Sequence, residues 1–294
     1  MQQHLRVGPR RVRRFVNIVR IHAHLLPVRR LAYTAILTRT VKATAVTVLS
    51  IALIIYAALC LFVYVTQRSL IYFPTPEVET AAARALRIDV DGAVLKVWNV
   101  TRPGARAALY FGGNAEDVAA EIVPLAGALP DYSLYLVNYR GYGGSSGTPT
   151  EAAIVKDAIA LFDKVHEQYS RVAVIGRSLG SGVAAGLAAE RPIDRLVLVT
   201  PYDSLERVAR RHYWYLPISW LLQDKFDSLR RAARISAPVL VVIAGLDEII
   251  PRDRSEALVA AFRPGQVQVA VLAGAMHNFS PETSVYLDAV RGFL

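Results

Sequence analysis

The chain has 294 residues, of which 53% are hydrophobic and 20% charged, and its formal net charge is +10. This length supports one globular domain of ordinary size and leaves apolar residues in excess. The basic charge is confined to the start, because residues 1–68 contain eleven Lys or Arg and no Asp or Glu, whereas the rest contains 23 basic and 24 acidic residues. The larger part of the chain is nearly neutral, so we expect no nucleic-acid partner. The one cysteine, Cys60, excludes an intrachain disulfide.

The first predicted element is a transmembrane helix. Residues 43–65 contain only three polar side chains, all Thr or Ser, and about 23 helical residues at ~1.5 Å each span a bilayer core of ~30 Å. The apolar run exceeds the ~7 to 15 residues of a signal-peptide core, so we expect an uncleaved anchor. We therefore predict a basic segment at 1–42, a transmembrane helix at 43–66, an extended tether at 67–80 and a folded domain at 81–294.

Charge around this span predicts its orientation. Ten basic residues precede it, and only Arg68 follows it closely. By the positive-inside rule, the N-terminus is cytoplasmic and the folded domain lies on the extracytoplasmic side of the cell (inner) membrane, in a single-pass arrangement. The basic residues of 12–26 suit either an amphipathic helix on anionic lipid or, more simply, a solvated tail. The segment 1–42 is also compatible with an upstream choice of start site.

The folded domain shows alternating strand and helix patterns. It opens with two strands, Leu86–Val90 and Val94–Trp98, which flank the turn-forming pair Asp91 and Gly92. Apolar strands separated by helical stretches follow, which predicts a doubly wound, mostly parallel α/β sheet with antiparallel N-terminal strands. The strands are predicted at Ala107–Phe111, Ser133–Asn138, Val172–Ile175, Leu196–Val199, Val239–Ile243 and Val267–Leu272. The helices are predicted at Glu116–Ala128, Glu151–Glu167, Ser178–Glu190, Arg252–Phe262 and Ser280–Phe293.

The run Gly176 to Gly180 lies between a buried strand and a helix of small residues, with Ser178 at its centre. A sharp strand-to-helix turn of this type exposes its serine above the sheet edge, and flanking glycines remove the side chains that would clash. We therefore expect Ser178 to be a nucleophile. The backbone N–H of Leu179, at the start of the helix, is a candidate donor to an oxyanion.

A serine nucleophile requires a base, and the base requires a carboxylate that fixes its tautomer. His277 follows the last predicted strand, at the sheet edge that also holds Ser178. The other histidines are assigned elsewhere: His4, His22 and His24 precede the membrane span, His166 lies on a solvated helix face, and His212 is interpreted as a structural hydrogen-bonding residue.

The acid is expected between Ser178 and His277 in chain order. Asp247 follows the strand Val239–Ile243, whereas its neighbour Glu248 is predicted to be solvated. Asp203 is the rival acid, although a helix N-cap is the interpretation that we favour for it. A second oxyanion donor is expected after the strand that ends at residue 111, and the backbone N–H of Asn114, which follows two glycines, suits that role.

These residues resemble the α/β-hydrolase superfamily, and more closely its membrane-anchored Bem46-like branch, which is often grouped with serine aminopeptidase-like (S33-type) hydrolases. The resemblance covers residues 67–294. It rests on GRSLGSG at 176–182 and on six further blocks, which are QRSLIYFP at 67–74, FGGNAED at 111–117, NYRGYGGSSGTPTE at 138–151, HYWYLPISWLLQDKFDSL at 212–229, GLDEIIP at 245–251 and GAMHN at 274–278.

The resemblance implies an α/β-hydrolase fold with Ser178 as nucleophile, His277 as base, Asp247 as acid, and the backbone of Asn114 and Leu179 as oxyanion hole. Many relatives have His and Gly before the asparagine, whereas this chain has two glycines. The hole is made of backbone, so this departure alters packing more than chemistry. The segment 200–237 is short for a lid, and we expect residues 213–222 to cover the pocket only in part.

The expected activity is hydrolysis of carboxylic ester or thioester bonds through an acyl-enzyme, without a cofactor or metal. The expected partners are a small-molecule or acylated lipid ester and, through residues 43–66, the bilayer. Two alternatives stay open. One is a peptidase or amidase of the same fold, although the sequence shows no clear acidic cluster to hold a free amine. The other is an inactive, membrane-anchored interaction protein.

Overall fold

The structure is a computed structural model that describes the backbone of residues 9–280 and 283–294. Side chains are described from residue 30 onward in these ranges, with the exception of residue 32. Several predictions fall on side chains outside the described residues, namely those for His4, His22, His24 and the basic pattern of residues 12–26.

The chain divides into two compact units, Met1–Leu61 and Phe62–Leu294. Helix α1 (Pro9–Ile71) supplies the regular structure of the first unit. Its part Tyr33–Ile71 is long and apolar enough to cross a membrane, the single helix of the described residues for which this holds. The predicted span 43–66 lies within it, and its large apolar side chains are exposed.

Helix α1 ends later than the sequence predicts. Gln67 to Pro76 is expected to be extended, whereas residues 67–71 are helical and the chain leaves the helix only at Tyr72. The first proline after the apolar run is Pro74, and proline biases the residue before it away from helical geometry. Residues 43–73 contain no proline or glycine, so nothing ends the helix before that point, and the prediction of an extended backbone is wrong for residues 67–71.

The second unit is built on one eight-stranded sheet with the order β1-β2-β4-β3-β5-β6-β7-β8. The pairs β1–β2 and β2–β4 are antiparallel, and all other pairs are parallel. The predicted mixed α/β architecture with antiparallel N-terminal strands is therefore confirmed. The strands are β1 (Arg84–Val90), β2 (Ala93–Val100), β3 (Arg106–Phe111), β4 (Ser133–Val137), β5 (Arg171–Arg177), β6 (Leu196–Val199), β7 (Val239–Ala244) and β8 (Val267–Leu272).

Helices cover both faces of the sheet, so the central parallel strands are buried on each side. The helices of this unit are α2 (Ile122–Ala128), α3 (Glu151–His166), α4 (Leu179–Ala188), α5 (Leu205–His212), α6 (Ile218–Leu221), α7 (Ser228–Ala232), α8 (Arg252–Ala261) and α9 (Ser284–Phe293). One apolar cluster joins the sheet to α3, α4 and α8, and the other joins it to α2 and α9.

The largest differences from the predicted elements lie in three helical regions. The helix predicted at Glu116–Ala128 is a 3-10 turn at Val118–Glu121 followed by α2. Helix α9 starts four residues later than expected, after Thr283, whose backbone is extended. Between β6 and β7 the chain forms three short helices, α5 to α7, which the sequence patterns do not predict. We call residues 205–222, which include α5 and α6, the cap.

Candidate active site

Ser178 lies at the turn between β5 and α4 with a backbone φ of 49° and ψ of −114°. Positive φ is costly for a residue with a side chain, and such strain concentrates at functional sites. The turn is held by the backbone N–H of Ser178, which donates to the carbonyl of Val199 at 2.9 Å. The flanking glycines are sterically required, because a Cβ on Gly176 would lie 2.3 Å from the carbonyl oxygen of Gly180.

The structure brings three of the predicted side chains into one hydrogen-bonded line. The Oγ of Ser178 lies 2.8 Å from Nε2 of His277, and Nδ1 of His277 lies 2.8 Å from Oδ2 of Asp247. A carboxylate accepts hydrogen bonds, so Nδ1 carries the proton and Nε2 presents its lone pair to the serine hydroxyl. The His277 and Asp247 side chains are buried, which keeps water from competing for these contacts.

The loop after β7 fixes the orientation of the Asp247 carboxylate. Its Oδ1 accepts from the backbone N–H groups of Ile249 at 3.0 Å and Ile250 at 2.7 Å, which leaves Oδ2 for His277. Glu248 is exposed, as predicted, and it also accepts from the backbone N–H of His277 at 3.1 Å. Both carboxylates of this loop therefore hold His277, one by its ring and the other by its main chain.

The predicted oxyanion donors are backbone groups of Asn114 and Leu179. Within the described part of the chain, neither of these N–H groups donates to a protein acceptor. The neighbouring N–H of Gly113 donates to Oε2 of Glu116 at 2.6 Å instead. A Cβ placed on Gly113 would lie 3.5 Å from the Cβ of Ser178. The glycine loop after β3 thus passes directly beside the serine.

The Asn114 side chain has a role that the sequence does not reveal. Its Oδ1 accepts from the backbone N–H of Phe73 at 3.0 Å and from the hydroxyl of Tyr142 at 2.8 Å. Its Nδ2 donates to the carbonyl of Ile71 at 2.6 Å. The bonds to Phe73 and Ile71 attach the glycine loop to the chain where it leaves helix α1, and the bond from Tyr142 attaches it to the segment that follows β4.

Buried hydrogen bonds from Arg177 connect two parts of the site. Arg177, which precedes the serine, donates to Oε1 of Glu121 at 2.9 Å and to the carbonyl of Phe279 at 2.8 Å. Burial raises the pKa of Glu121 to about 7, a shift to which the charge of Glu116 adds. Because Phe279 is two residues beyond His277, Arg177 connects the strand that carries the serine to the loop that carries the histidine.

The rival acid lies outside this line. Asp203 is buried and pairs with Arg207 and Arg254, at 3.4 and 3.1 Å. It is not the N-cap of α5. That role belongs to Ser204, whose hydroxyl accepts from the backbone N–H of Arg207 at 3.1 Å. The Asp203 carboxylate is engaged by the arginines and by the N–H of Ser204, so the N-cap prediction is wrong by one residue.

The two rival histidines of the described residues also lie elsewhere. His166 is exposed and stacks on Phe162 with 5.3 Å between ring centroids, in line with a solvated helix face. His212 is exposed too, and its Nε2 donates to the carbonyl of Ile249 at 3.2 Å. No group of three or more His, Cys, Asp or Glu residues suited to a metal ion occurs in the part of the chain that the structure describes.

One family model and several known proteins are similar to this chain in sequence. A family model described as serine aminopeptidase, S33, matches residues 125–230. The uncharacterized protein Rv2307c of Mycobacterium tuberculosis is 38% identical over 272 residues, which are 86% of this chain and 96% of that protein. Lysophosphatidylserine lipase ABHD12 of Mus musculus is 32% identical over 167 residues, which are 49% of this chain and 42% of the lipase.

Among solved structures, the esterase Pf2001 of Pyrococcus furiosus superposes with a TM-score of 0.61 at 20% sequence identity. The superposition covers 76% of this chain and 98% of the esterase. At this level of identity the likeness shows a common fold.

Proposed function

The chain belongs to the α/β-hydrolase superfamily, and we propose that it is a serine hydrolase that cleaves carboxylic ester or thioester bonds. The observation that carries the proposal is the continuous line of two 2.8 Å contacts from Ser178 through His277 to Asp247. In this line each residue has one role: Ser178 is the nucleophile, His277 the general base and Asp247 the acid that orients the imidazole.

The proposed reaction has two halves. His277 removes the hydroxyl proton of Ser178 as Oγ attacks the acyl carbonyl, and the tetrahedral oxyanion accepts hydrogen bonds from the N–H groups of Asn114 and Leu179. The imidazolium then gives its proton to the leaving alcohol or thiol, which forms the acyl-enzyme. In the second half, His277 deprotonates a water molecule that attacks the ester, and the acid product leaves with Ser178 reprotonated.

Burial and backbone geometry support this assignment. Ser178 has a strained backbone conformation and its hydroxyl contacts His277, and the two backbone donors are free of protein acceptors within the described residues. Preorganised donors of this type act on charge that develops in the transition state and are commonly the largest electrostatic contribution to catalysis. The site contains every group that acyl transfer requires, which argues against the inactive alternative.

The relatives bear on the substrate class. An esterase shares the fold, and a lysophosphatidylserine lipase shares 32% identity over part of the chain. These names favour small-molecule or lipid esters. The matching family model is described as a serine aminopeptidase, so a peptidase is the second candidate. Amide cleavage places a harder demand on His277, because an amine leaves only when it is protonated.

We also propose that the hydrolase domain at residues 81–294 is anchored by a transmembrane helix at 43–66, connected by residues 67–80. The long apolar helix supports the anchor, and the distribution of Lys and Arg around it supports an extracytoplasmic domain. An alkaline phosphatase reporter fused after Leu294 tests the orientation. The fused phosphatase is expected to be active. An expressed but inactive phosphatase fusion contradicts the proposed orientation.

Labelling by a fluorophosphonate probe tests the nucleophile directly. The full chain in detergent is expected to be labelled, and Ser178→Ala is expected to abolish labelling, whereas the matched exposed variant Ser170→Ala retains it. Full labelling of Ser178→Ala contradicts the mechanism. Parallel assays with p-nitrophenyl acyl esters and aminoacyl-nitroanilides separate the two candidates, because faster turnover of the anilides favours the peptidase.

A further inference from the structure

The cap has two tryptophans that are almost fully exposed. Trp214 is 82% exposed and Trp220 is 86% exposed, whereas the third tryptophan of the chain, Trp98, is 1% exposed. Large apolar side chains grouped on a surface mark an interaction site. Tryptophan in particular is enriched where a protein meets the boundary between lipid and water, because its ring is apolar and its N–H is polar.

Basic side chains lie beside these tryptophans. The last turn of α5 contains Arg210 and Arg211, and within the described residues neither forms an ion pair. Arg210 lines two neighbouring cavities. One, of about 320 Å³, also includes Trp214 and Trp220, and the other, of about 360 Å³, includes Arg211. We call Arg210, Arg211, Trp214 and Trp220 the cap face.

The end of helix α1 is bonded to the cap next to this surface. The Gln67 side chain is buried, with 4% of the residue exposed. It donates to the carbonyl of Leu221 at 2.9 Å and accepts from the N–H of Gln223 at 2.7 Å. Tyr72 extends the junction, since its hydroxyl donates to Asp224 at 3.0 Å.

This junction determines where the cap face lies. Gln67 is the first residue after the proposed transmembrane helix, and its side chain contacts the residue that follows Trp220. A side chain one position beyond the membrane span cannot lie far from the headgroup layer. With the proposed anchor, the membrane span therefore ends beside residue 221 of the cap, which supports a cap face near the bilayer surface.

We propose that the cap face docks on the headgroup layer of an anionic phospholipid bilayer. Arg210 and Arg211 pair with lipid phosphates, and the rings of Trp214 and Trp220 enter the interface. This inference rests on the proposed membrane anchor and deepens the proposed function, because it makes the bilayer the source from which lipid esters enter. A second copy of the chain is a poorer occupant, since two copies of this basic surface repel each other.

Fluorescence of the full chain in vesicles tests the docking. Trp98 is buried, so collisional quenching by brominated acyl chains reports on Trp214 and Trp220. In vesicles of equal parts phosphatidylcholine and phosphatidylglycerol, brominated lipid is expected to remove most of the emission that these two residues contribute. That contribution is measured as the difference from the Trp214→Ser/Trp220→Ser variant. If brominated lipid does not quench the emission of Trp214 and Trp220, the proposal is overturned. If that unquenched emission changes with the density of the protein in the vesicles, the cap face contacts a second copy of the chain instead.

A charge-matched pair of variants tests the arginines. Arg210→Gln/Arg211→Gln is expected to reduce quenching in the anionic vesicles to the level seen in pure phosphatidylcholine. The control Arg84→Gln/Arg102→Gln removes the same charge from exposed positions outside the cap, and it is expected to quench as the wild type does. Equal loss in both variants, or in neither, overturns the assignment of phosphate binding to the cap face.

The outcome is independent of catalysis, because labelling of Ser178 by fluorophosphonate in detergent requires no bilayer. All of these variants are expected to label at the wild-type rate there. Labelling without lipid quenching overturns the docking proposal and leaves the hydrolase assignment intact. Lipid quenching without labelling overturns the hydrolase assignment and leaves the docking proposal intact.

Discussion

Substitution of Gly180 by alanine tests the packing that aligns Ser178, the proposed nucleophile, with the glycine loop. Helix α4 crosses β3 so closely at this residue that a Cβ would lie 2.0 Å from the carbonyl oxygen of Phe111 and 2.7 Å from that of Gly112. The first oxygen must move by about 1.4 Å to reach an ordinary 3.4 Å contact. It belongs to backbone paired with strands on both sides, so it has little freedom to move.

Overpacking of a tight core costs about 1–3 kcal/mol, and the fixed position of β3 favours the upper end of that range. For a unit of this size, each kcal/mol lowers the melting temperature by about 2–4 °C, so Gly180→Ala is expected to melt about 6–12 °C below the wild type. The displaced loop carries Asn114, and misplacement by about 1 Å is sufficient to slow a reaction about 10²-fold. Fluorophosphonate labelling is expected to slow to that extent at a temperature where the variant is folded.

Gly127→Ala is the matched control. Gly127 lies in α2, and a Cβ at this position would have no atom within 4 Å. Alanine is also favoured over glycine in a helix by about 1 kcal/mol, so the melting temperature is expected to be unchanged or slightly raised, with normal labelling. Wild-type melting and labelling of Gly180→Ala would refute the steric argument. A lower melting temperature with normal labelling would refute the connection between this contact and the glycine loop.

Two further predictions concern ionizable groups. Asp247→Asn is expected to reduce ester turnover about 10⁴-fold, because the wrong histidine tautomer then faces Ser178. Asp203→Asn is the control and is expected to retain activity. Equal losses of turnover in the two variants would contradict the assignment of Asp247 as the acid. Burial raises the pKa of Glu121 from 4.5 to about 7, so the folded state retains a proton that the unfolded state releases. Its contribution to stability is complete below pH 4.5 and is lost as the pH rises to about 7, by up to about 3 kcal/mol. Chemical unfolding of Glu121→Gln across this range is expected to show a weaker pH dependence than the wild type, and an unchanged dependence would contradict the role of this carboxyl.

The sheet and the position of the site are predictable from sequence because both depend on local patterns. Continuous apolar runs indicate parallel strands buried on both faces. Ser178 and Asp247 each follow such a run, and His277 follows the edge strand β8, which is only partly buried. Loops after parallel strands gather at one edge of the sheet, so residues far apart in sequence are expected to meet there, and the structure places these three within hydrogen-bonding distance.

Contacts that support the site are not predictable in this way. The bonds from Asn114 to residues 71 and 73 and from Arg177 to Phe279 join distant segments through single side chains, which leave no periodic trace in the sequence. The cap helices α5 and α6 are short, with four to eight residues, so their patterns are too brief to detect. Asp203 and Ser204 are both good N-cap residues, and only the tertiary ion pairs decide between them.

The bonds made by residues 67–73 have a mechanical consequence for an anchored enzyme. Gln67 is bonded to the cap, and the backbone of Phe73 is bonded to Asn114 in the glycine loop beside Ser178. In the proposed anchored enzyme, the residues that follow the membrane span are therefore fixed to the hydrolase domain and do not form a flexible linker. A catalytic centre on a flexible linker reaches substrates throughout a volume of solution. With the proposed anchor, attachment through residues 67–73 restricts the catalytic centre to substrates near the bilayer, so we expect its encounters to be governed by lateral diffusion of those substrates in the membrane.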